Sequence, residues 1–257
     1  MSRRRLPIVW AVLGATVLAQ IAYPLTEGAA RAHLTVLTVL LGYLLSVGHA
    51  LLTRGPRVAA ALVAVTTGGG LTVEALGVAT GVPFGGYDYS GDLGPMLLGV
   101  PLIIPLAWTW MAWPAWLAAL RLARGAPARI GLAGLGLATW DVFLDPQMVS
   151  AGYWSWHEPT PALPGVPGIP VGNYLGWLVV ALAMMALLSL TGGPATPAGD
   201  ADLPMYGLYL WTYASSVLAH AVFFDLPASA AWGALAMAPV ALTLAVTLAR
   251  ARRSAPA

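Results

Sequence analysis

The chain has 257 residues, of which 59% are hydrophobic and 9% charged, whereas soluble domains are roughly a quarter charged. That balance excludes an ordinary soluble fold and describes an integral membrane protein. A net charge of +2 without basic and aromatic interleaving gives nucleic acid nothing to grip, and a cysteine count of zero excludes disulfides, thiolate catalysis and iron–sulfur ligation.

A bilayer crossing needs about 20 apolar residues. Eight runs are predicted to make one: 6–23, 33–52, 58–79, 96–120, 130–149, 171–190, 205–224 and 230–249. The fold predicted is an all-α polytopic bundle of about eight transmembrane helices, a single domain over 1–257, with residues 191–204 as a polar, solvated linker. The first run follows Arg3, Arg4 and Arg5 like a secretory signal. Its apolar part is too long for one and no small-x-small cleavage site follows, so it reads as a retained helix.

All the basic residues are arginines, and they fall on one side when assigned loop by loop. Arg3, Arg4 and Arg5 precede the first run, Arg54 and Arg57 join the second to the third, Arg121, Arg124 and Arg129 join the fourth to the fifth, and Arg250, Arg252 and Arg253 follow the eighth. Arg31 alone falls on the other side. The positive-inside rule then places both termini in the cytoplasm of a multi-pass cell-membrane protein.

Within the third run, Gly70, Glu74 and Gly77 lie at i, i+4 and i+7 on one helix face. Small residues let helix backbones approach closely, so Glu74 is expected to point into a tight helix contact rather than at lipid. The fourth run carries Pro101, Pro105 and Pro114 and is expected to be kinked. The fifth holds Gly131, Gly134 and Gly136, then Asp141 and Asp145, four residues apart and so on one face. Two like charges there repel in a low dielectric, and at least one is expected to keep its proton near neutral pH: a general acid beside a potential base.

The predicted topology gathers the polar residues on the side away from the arginine-rich loops. Glu74, Asp145 and Asp225 fall toward outer helix ends, and Asp141 midway. Outer loops add Tyr87, Asp88, Tyr89 and Asp92, then Trp154, Trp156, His157 and Glu158, and Asn173 opens the sixth run. An ionisable residue at membrane depth is a functional candidate by default, which applies to Glu74, Asp141 and Asp145. Asp225 can equally snorkel to the interface, Asp88, Asp92 and Glu158 read as solvated loop residues, and His220, in a stripe with Tyr213 and Ser216, reads as a core histidine or a catalytic one. Trp10, Trp113, Trp116 and Trp232 read as interfacial or packing residues. Trp140, Trp154, Trp156 and Trp177 lie near the carboxylates, where an aromatic face can stabilise a cation. The four histidines, His33, His49, His157 and His220, have no metal-binding spacing and no nucleotide fingerprint is present, so neither a metal nor another cofactor is expected.

Three stretches together resemble the membrane carotenoid-biosynthesis proteins that include the CruF-type carotenoid hydratases. They are EALGVATGVPFGGYDY from Glu74, LGPMLLGVPL from Leu93, and WDVFLDP from Trp140 continuing through GYWSW to GNYLGW at Gly172. The stretch from Pro161 to Val171 is longer and richer in proline than the short approach to the Asn usual in that family. The resemblance implies hydration of the terminal isoprenoid double bond of an acyclic C40 carotenoid, or of a C50 relative of bacterioruberin, to a tertiary alcohol without a cofactor. The partners implied are the lipophilic carotenoid, water, membrane lipid and other carotenoid-biosynthesis enzymes, with no nucleic acid.

Such a reaction protonates the less substituted alkene carbon and lets water capture the tertiary cation. It needs a protonated acid, an aromatic pocket, and a positioned water with a base. The assignment expected is Asp141 or Asp145 as acid and Glu74 as base or water positioner, with these roles exchangeable. Asn173 or His220 could assist the water, Trp140, Trp154, Trp156 and Trp177 line the pocket, and Tyr87 and Tyr89 fold over it. Competing readings are a carotenoid cyclase sharing the protonation step, a proton-coupled transporter, for which no internal repeat is visible, and a pigment-binding membrane protein.

Overall fold

A computed structural model describes residues 6–191, 197 and 199–253. Arg3, Arg4 and Arg5, and residues 192–196 and 198 of the predicted linker, lie outside that set.

Among the described residues there are ten α-helices, and each of the eight apolar runs is helical over most of its length. They are α1 (Leu6–Ala22), α2 (Gly28–Arg54), α3 (Pro56–Leu62), α4 (Gly69–Thr80), α5 (Ile103–Leu122), α6 (Ala126–Ala138), α7 (Asp141–Ser150), α8 (Val171–Thr191), α9 (Leu203–Val222) and α10 (Pro227–Arg253). Among the described residues, six helical stretches are long and apolar enough to cross a membrane: Pro7–Leu25, Gly28–Arg54, Pro56–Thr80, Ile103–Leu122, Val171–Thr191 and Pro227–Arg253. Of the other two predicted spans, α9 is long enough but carries Tyr206, Tyr209, Thr212, Ser215, Ser216 and His220, and 130–149 is not one helix.

Two of the predicted spans are interrupted, and both interruptions precede the carboxylates. A π-helical segment, Val63–Gly68, joins α3 to α4, the kind of irregularity that recurs near functional sites. Its Thr66 and Thr67 hydroxyls meet Thr109 Oγ1 of α5 at 2.7 and 2.6 Å. The α6–α7 boundary is a tightened turn at Thr139–Trp140, in which Trp140 N donates to Leu137 O at 3.3 Å and Phe143 N to Trp140 O at 3.0 Å. Asp141 therefore opens a new helix instead of lying midway along an old one.

The start of the fourth predicted span is a further correction. Met96–Leu97 (β2) and Val100–Pro101 (β3) form a hairpin whose turn residues, Leu98 and Gly99, have φ of 54° and 80°. Two positive φ values suit a tight hairpin turn and cannot continue a right-handed helix. The helix proper starts at Ile103, with Pro105 in its first turn, where a missing N–H costs nothing.

α5 is the hub: it is almost wholly buried, and it packs against α2, α4, α6, α8, α9 and α10. A buried helix containing proline must have the carbonyl four residues back satisfied elsewhere. For Pro114 that is Trp110 O, which accepts from Ser46 Oγ of α2 at 2.8 Å. For Pro146 in α7 it is Val142 O, which accepts from Ser229 Oγ of α10 at 3.0 Å.

One end of the bundle is closed by short strands. α4 stops at Gly81, whose φ of 76° makes the left-handed cap that glycine adopts without strain. Tyr87–Tyr89 (β1) then pairs antiparallel with Trp154–Trp156 (β4), Tyr87 opposite Trp156 and Tyr89 opposite Trp154. Because side chains alternate along a strand, Tyr87, Trp154 and Trp156 turn inward with the half-buried Tyr89, while Asp88 and Ser155 face out. The proline-rich stretch before α8 folds as a second hairpin, Ala162–Leu163 (β5) with Val166–Pro170 (β6).

Candidate active site

Glu74 is buried within α4, on the face shared with Gly70 and Gly77. A side chain on Gly70 would meet the Trp108 ring at 3.0 Å, and one on Gly77 would meet Tyr87 Oη at 2.9 Å. The glycines thus make room for the groups that bind Glu74. Trp108 Nε1 donates to Oε1 at 2.8 Å, and Tyr87 Oη and Tyr89 Oη donate to Oε2 at 2.6 and 2.9 Å. These are three neutral donors with no cation among them, an environment built to receive a carboxylate.

Asp145 and Asp141 lie one turn apart on α7 and are buried. Asn173 Nδ2 donates to Asp141 Oδ2 at 2.9 Å and, more closely, to Asp145 Oδ2, while Trp154 Nε1 donates to Asp145 Oδ1 at 3.1 Å. Two carboxyl oxygens converging on one amide nitrogen in a low dielectric would repel strongly if both were charged. The pair therefore calls for a proton.

Glu74 and Asp145 line one cavity of about 130 Å³. Its wall includes Tyr87, Tyr89, Trp140, Trp154, Trp156, Asn173 and Trp177, so most of the residues singled out from sequence meet there. Asp141 does not reach the cavity and stands behind Asn173. His220 also lies off the wall: its Nδ1 is 2.9 Å from Ser229 Oγ, and its ring packs edge-on against Phe143 at 5.2 Å. Through Ser229 it helps satisfy the carbonyl freed by Pro146, a structural task next to Asp145. Asp88 and His157 form an exposed pair at 2.7 Å, and Asp225 is exposed at the end of α9. Among the described residues no group of three or more His, Asp or Glu is placed to hold a metal ion.

Trp108 escaped the sequence reading. Its ring stacks on Trp177 at 3.7 Å between centroids and 11° between planes, and Trp177 meets Trp140 edge-on at 6.5 Å. The three rings line the same cavity as the carboxylates. The signal that could have found Trp108 was Gly70, a gap one turn from Glu74 that needed a large partner, but nothing local says which helix supplies it.

A helical membrane bundle with buried carboxyl groups beside an aromatic cavity defines the class, and comparison with known proteins supplies the family. The family described as carotenoid biosynthesis protein matches residues 7–249, and the chain belongs to it. It is also similar to the bisanhydrobacterioruberin hydratase of Haloarcula japonica, with 39% identity over 113 residues. That stretch is 42% of this chain and 36% of the relative, so the match spans about a third of the relative's length. No solved structure matches.

Proposed function

We propose that the protein is a carotenoid hydratase of the cell membrane, adding water across the terminal isoprenoid double bond of an acyclic C40 or C50 carotenoid. The observation that carries this reading is the shared cavity, in which Asp145 and Glu74 face the same space between aromatic walls. The name of the Haloarcula japonica relative points to the same reaction type.

The environments of the carboxyl groups separate their roles. Asp145 and Asp141 both accept from Asn173 Nδ2, and with one proton held by the pair, Asp145, which reaches the cavity, is the acid. Asp141 is a positioning residue that keeps that proton available. Glu74, held by three donors, serves as the anion that faces the developing cation and takes the proton of the attacking water. The alkene π pair accepts the Asp145 proton at the less substituted carbon. The positive charge at the tertiary carbon then lies near Trp108, Trp140 and Trp177, whose faces favour a cation. A water lone pair forms the C–O bond, its proton passes to Glu74, and transfer back through cavity water restores Asp145. A carotenoid is too insoluble to arrive through water and enters sideways between helices.

The test is co-expression in a non-pigmented bacterium supplied with lycopene or with an acyclic C50 precursor, followed by mass analysis of the pigments. A gain of one or two waters is expected. Isomerised pigment of unchanged mass would mean a cyclase, and unaltered pigment from both substrates, with inserted protein, would sink the enzyme reading.

A further inference from the structure

The cavity has a second side that the acid chemistry does not use. The carboxylates and their donors come from α4, β1, α5, α7, β4 and α8. The remaining wall comes from α1 and the turn after it, α2 and α9, with further residues of α5 and α7, and it carries Gln20, Tyr23, Thr38, Gln147, Thr212 and Ser216. These polar groups stand among apolar neighbours such as Val39, Phe143 and Met148, and a hydrocarbon offers them no hydrogen bond.

Its hydrogen bonding is also incomplete. Three residues of this cavity, Thr38, Trp110 and Thr212, are 7%, 5% and 1% exposed. Thr38 Oγ1, Trp110 Nε1 and Thr212 Oγ1 have no hydrogen-bond partner among the described residues. The carboxylate side differs, since both oxygens of Glu74 and both of Asp145 have donors. A buried polar group without a partner is destabilising, and three beside one cavity call for a small polar occupant. Water held by two to four polar groups fits that description; an isoprenoid chain does not.

We infer that this side of the cavity is a water-holding site that supplies the nucleophile of the hydration, an inference that rests on the hydratase reading. Trp110 stands at the junction, edge-on to Trp140 at 5.4 Å, so water held there lies next to the aromatic wall where the cation forms. Toward the surface the site ends at Tyr23 and Phe224, packed edge-on at 5.8 Å, with the Arg31 guanidinium 5.7 and 5.8 Å from the two rings. That places the water route at the turn after α1, apart from a sideways route for the carotenoid. The site decides the fate of the cation. With water in place, a C–O bond forms and Glu74 takes the water's proton; without it, Glu74 takes a proton from a carbon next to the cation, which returns to an alkene with no water added.

The experiment follows both fates in membranes supplied with lycopene or the C50 precursor in heavy water. Mass analysis gives the ratio of hydrated product to unhydrated carotenoid that has gained deuterium. The Thr38→Val/Thr212→Val variant keeps side-chain shape and removes two of the hydroxyls. Its ratio is expected to fall about tenfold, the effect of roughly 1.4 kcal/mol on partitioning, while deuterium uptake persists. Thr212→Val alone is expected to shift the ratio the same way by a smaller factor, and it decides the matter if the double variant does not accumulate. A wild-type ratio in the accumulating variants overturns the water site and leaves the hydratase standing. Wild-type protein that neither hydrates nor exchanges deuterium overturns the hydratase reading and the water site with it.

Discussion

The molecule buries carboxyl groups at two places and treats them in opposite ways. Asp202, just before α9, is fully buried and accepts two hydrogen bonds of 2.9 Å from Arg54 Nη2. Beside it His49 Nε2 lies 2.8 Å from Ala201 O, and Trp113 Nε1 donates to His49 Nδ1 at 2.9 Å. Glu74 lies 18 residues into the hairpin partner of α2, roughly 27 Å of helix beyond Pro56. It has neutral donors in place of a cation, and a cavity in place of a packed wall. A carboxylate neutralised by an arginine and sealed in holds helices together. One surrounded by neutral donors and left facing open space is placed to meet something that arrives, and in the proposed reaction that visitor is a transient carbocation.

This contrast can be broken by substitution. The largest expected effect is at the proposed acid: Asp145→Asn should lower hydration about 10³-fold, within the range for general acid–base catalysis, with normal protein level, measured as product per inserted protein. Arg54→Ala should do the reverse. It leaves Asp202 buried without its cation and should cost about 3–5 kcal/mol of stability, seen as a lower unfolding midpoint in detergent, while activity per folded molecule stays near wild type; activity loss without destabilisation would dissolve the comparison. Glu74→Gln keeps the shape and loses the charge, and about a 10²-fold loss is expected, with Glu74→Asp recovering part of it. The smallest effect belongs to Ser46→Ala, which frees the Trp110 carbonyl and should cost about 1 kcal/mol of stability with little change in hydration.

Much of the site was legible because its residues violate the medium. Glu74, Asp141 and Asp145 stand out in apolar runs, and the spacing of Gly70, Glu74 and Gly77 already told which way Glu74 points. The Tyr-Asp-Tyr and Trp-Ser-Trp triplets alternate as strands do, yet they read as loops, since each is too short to declare itself without the other. Asp202 read as part of a solvated linker because its partner, Arg54, is 148 positions away. The α6–α7 break left no mark in hydropathy, because apolar residues flank it on both sides, Leu137 and Ala138 before and Val142 and Phe143 after.

By itself the sequence determined the membrane class, the helical runs and the identity of the acidic and aromatic residues, since burial in lipid is written locally, in composition and period. Only the tertiary structure decided that Asp145 faces the cavity while Asp141 stands behind Asn173, that Trp108 holds Glu74, that His220 serves the backbone beside Pro146, and that Arg54 and Asp202 pair. Those outcomes depend on which helix faces meet, and in a bundle whose helices are apolar on every side that choice is made by the fit of glycine gaps, rings and hydrogen bonds between segments far apart in the chain.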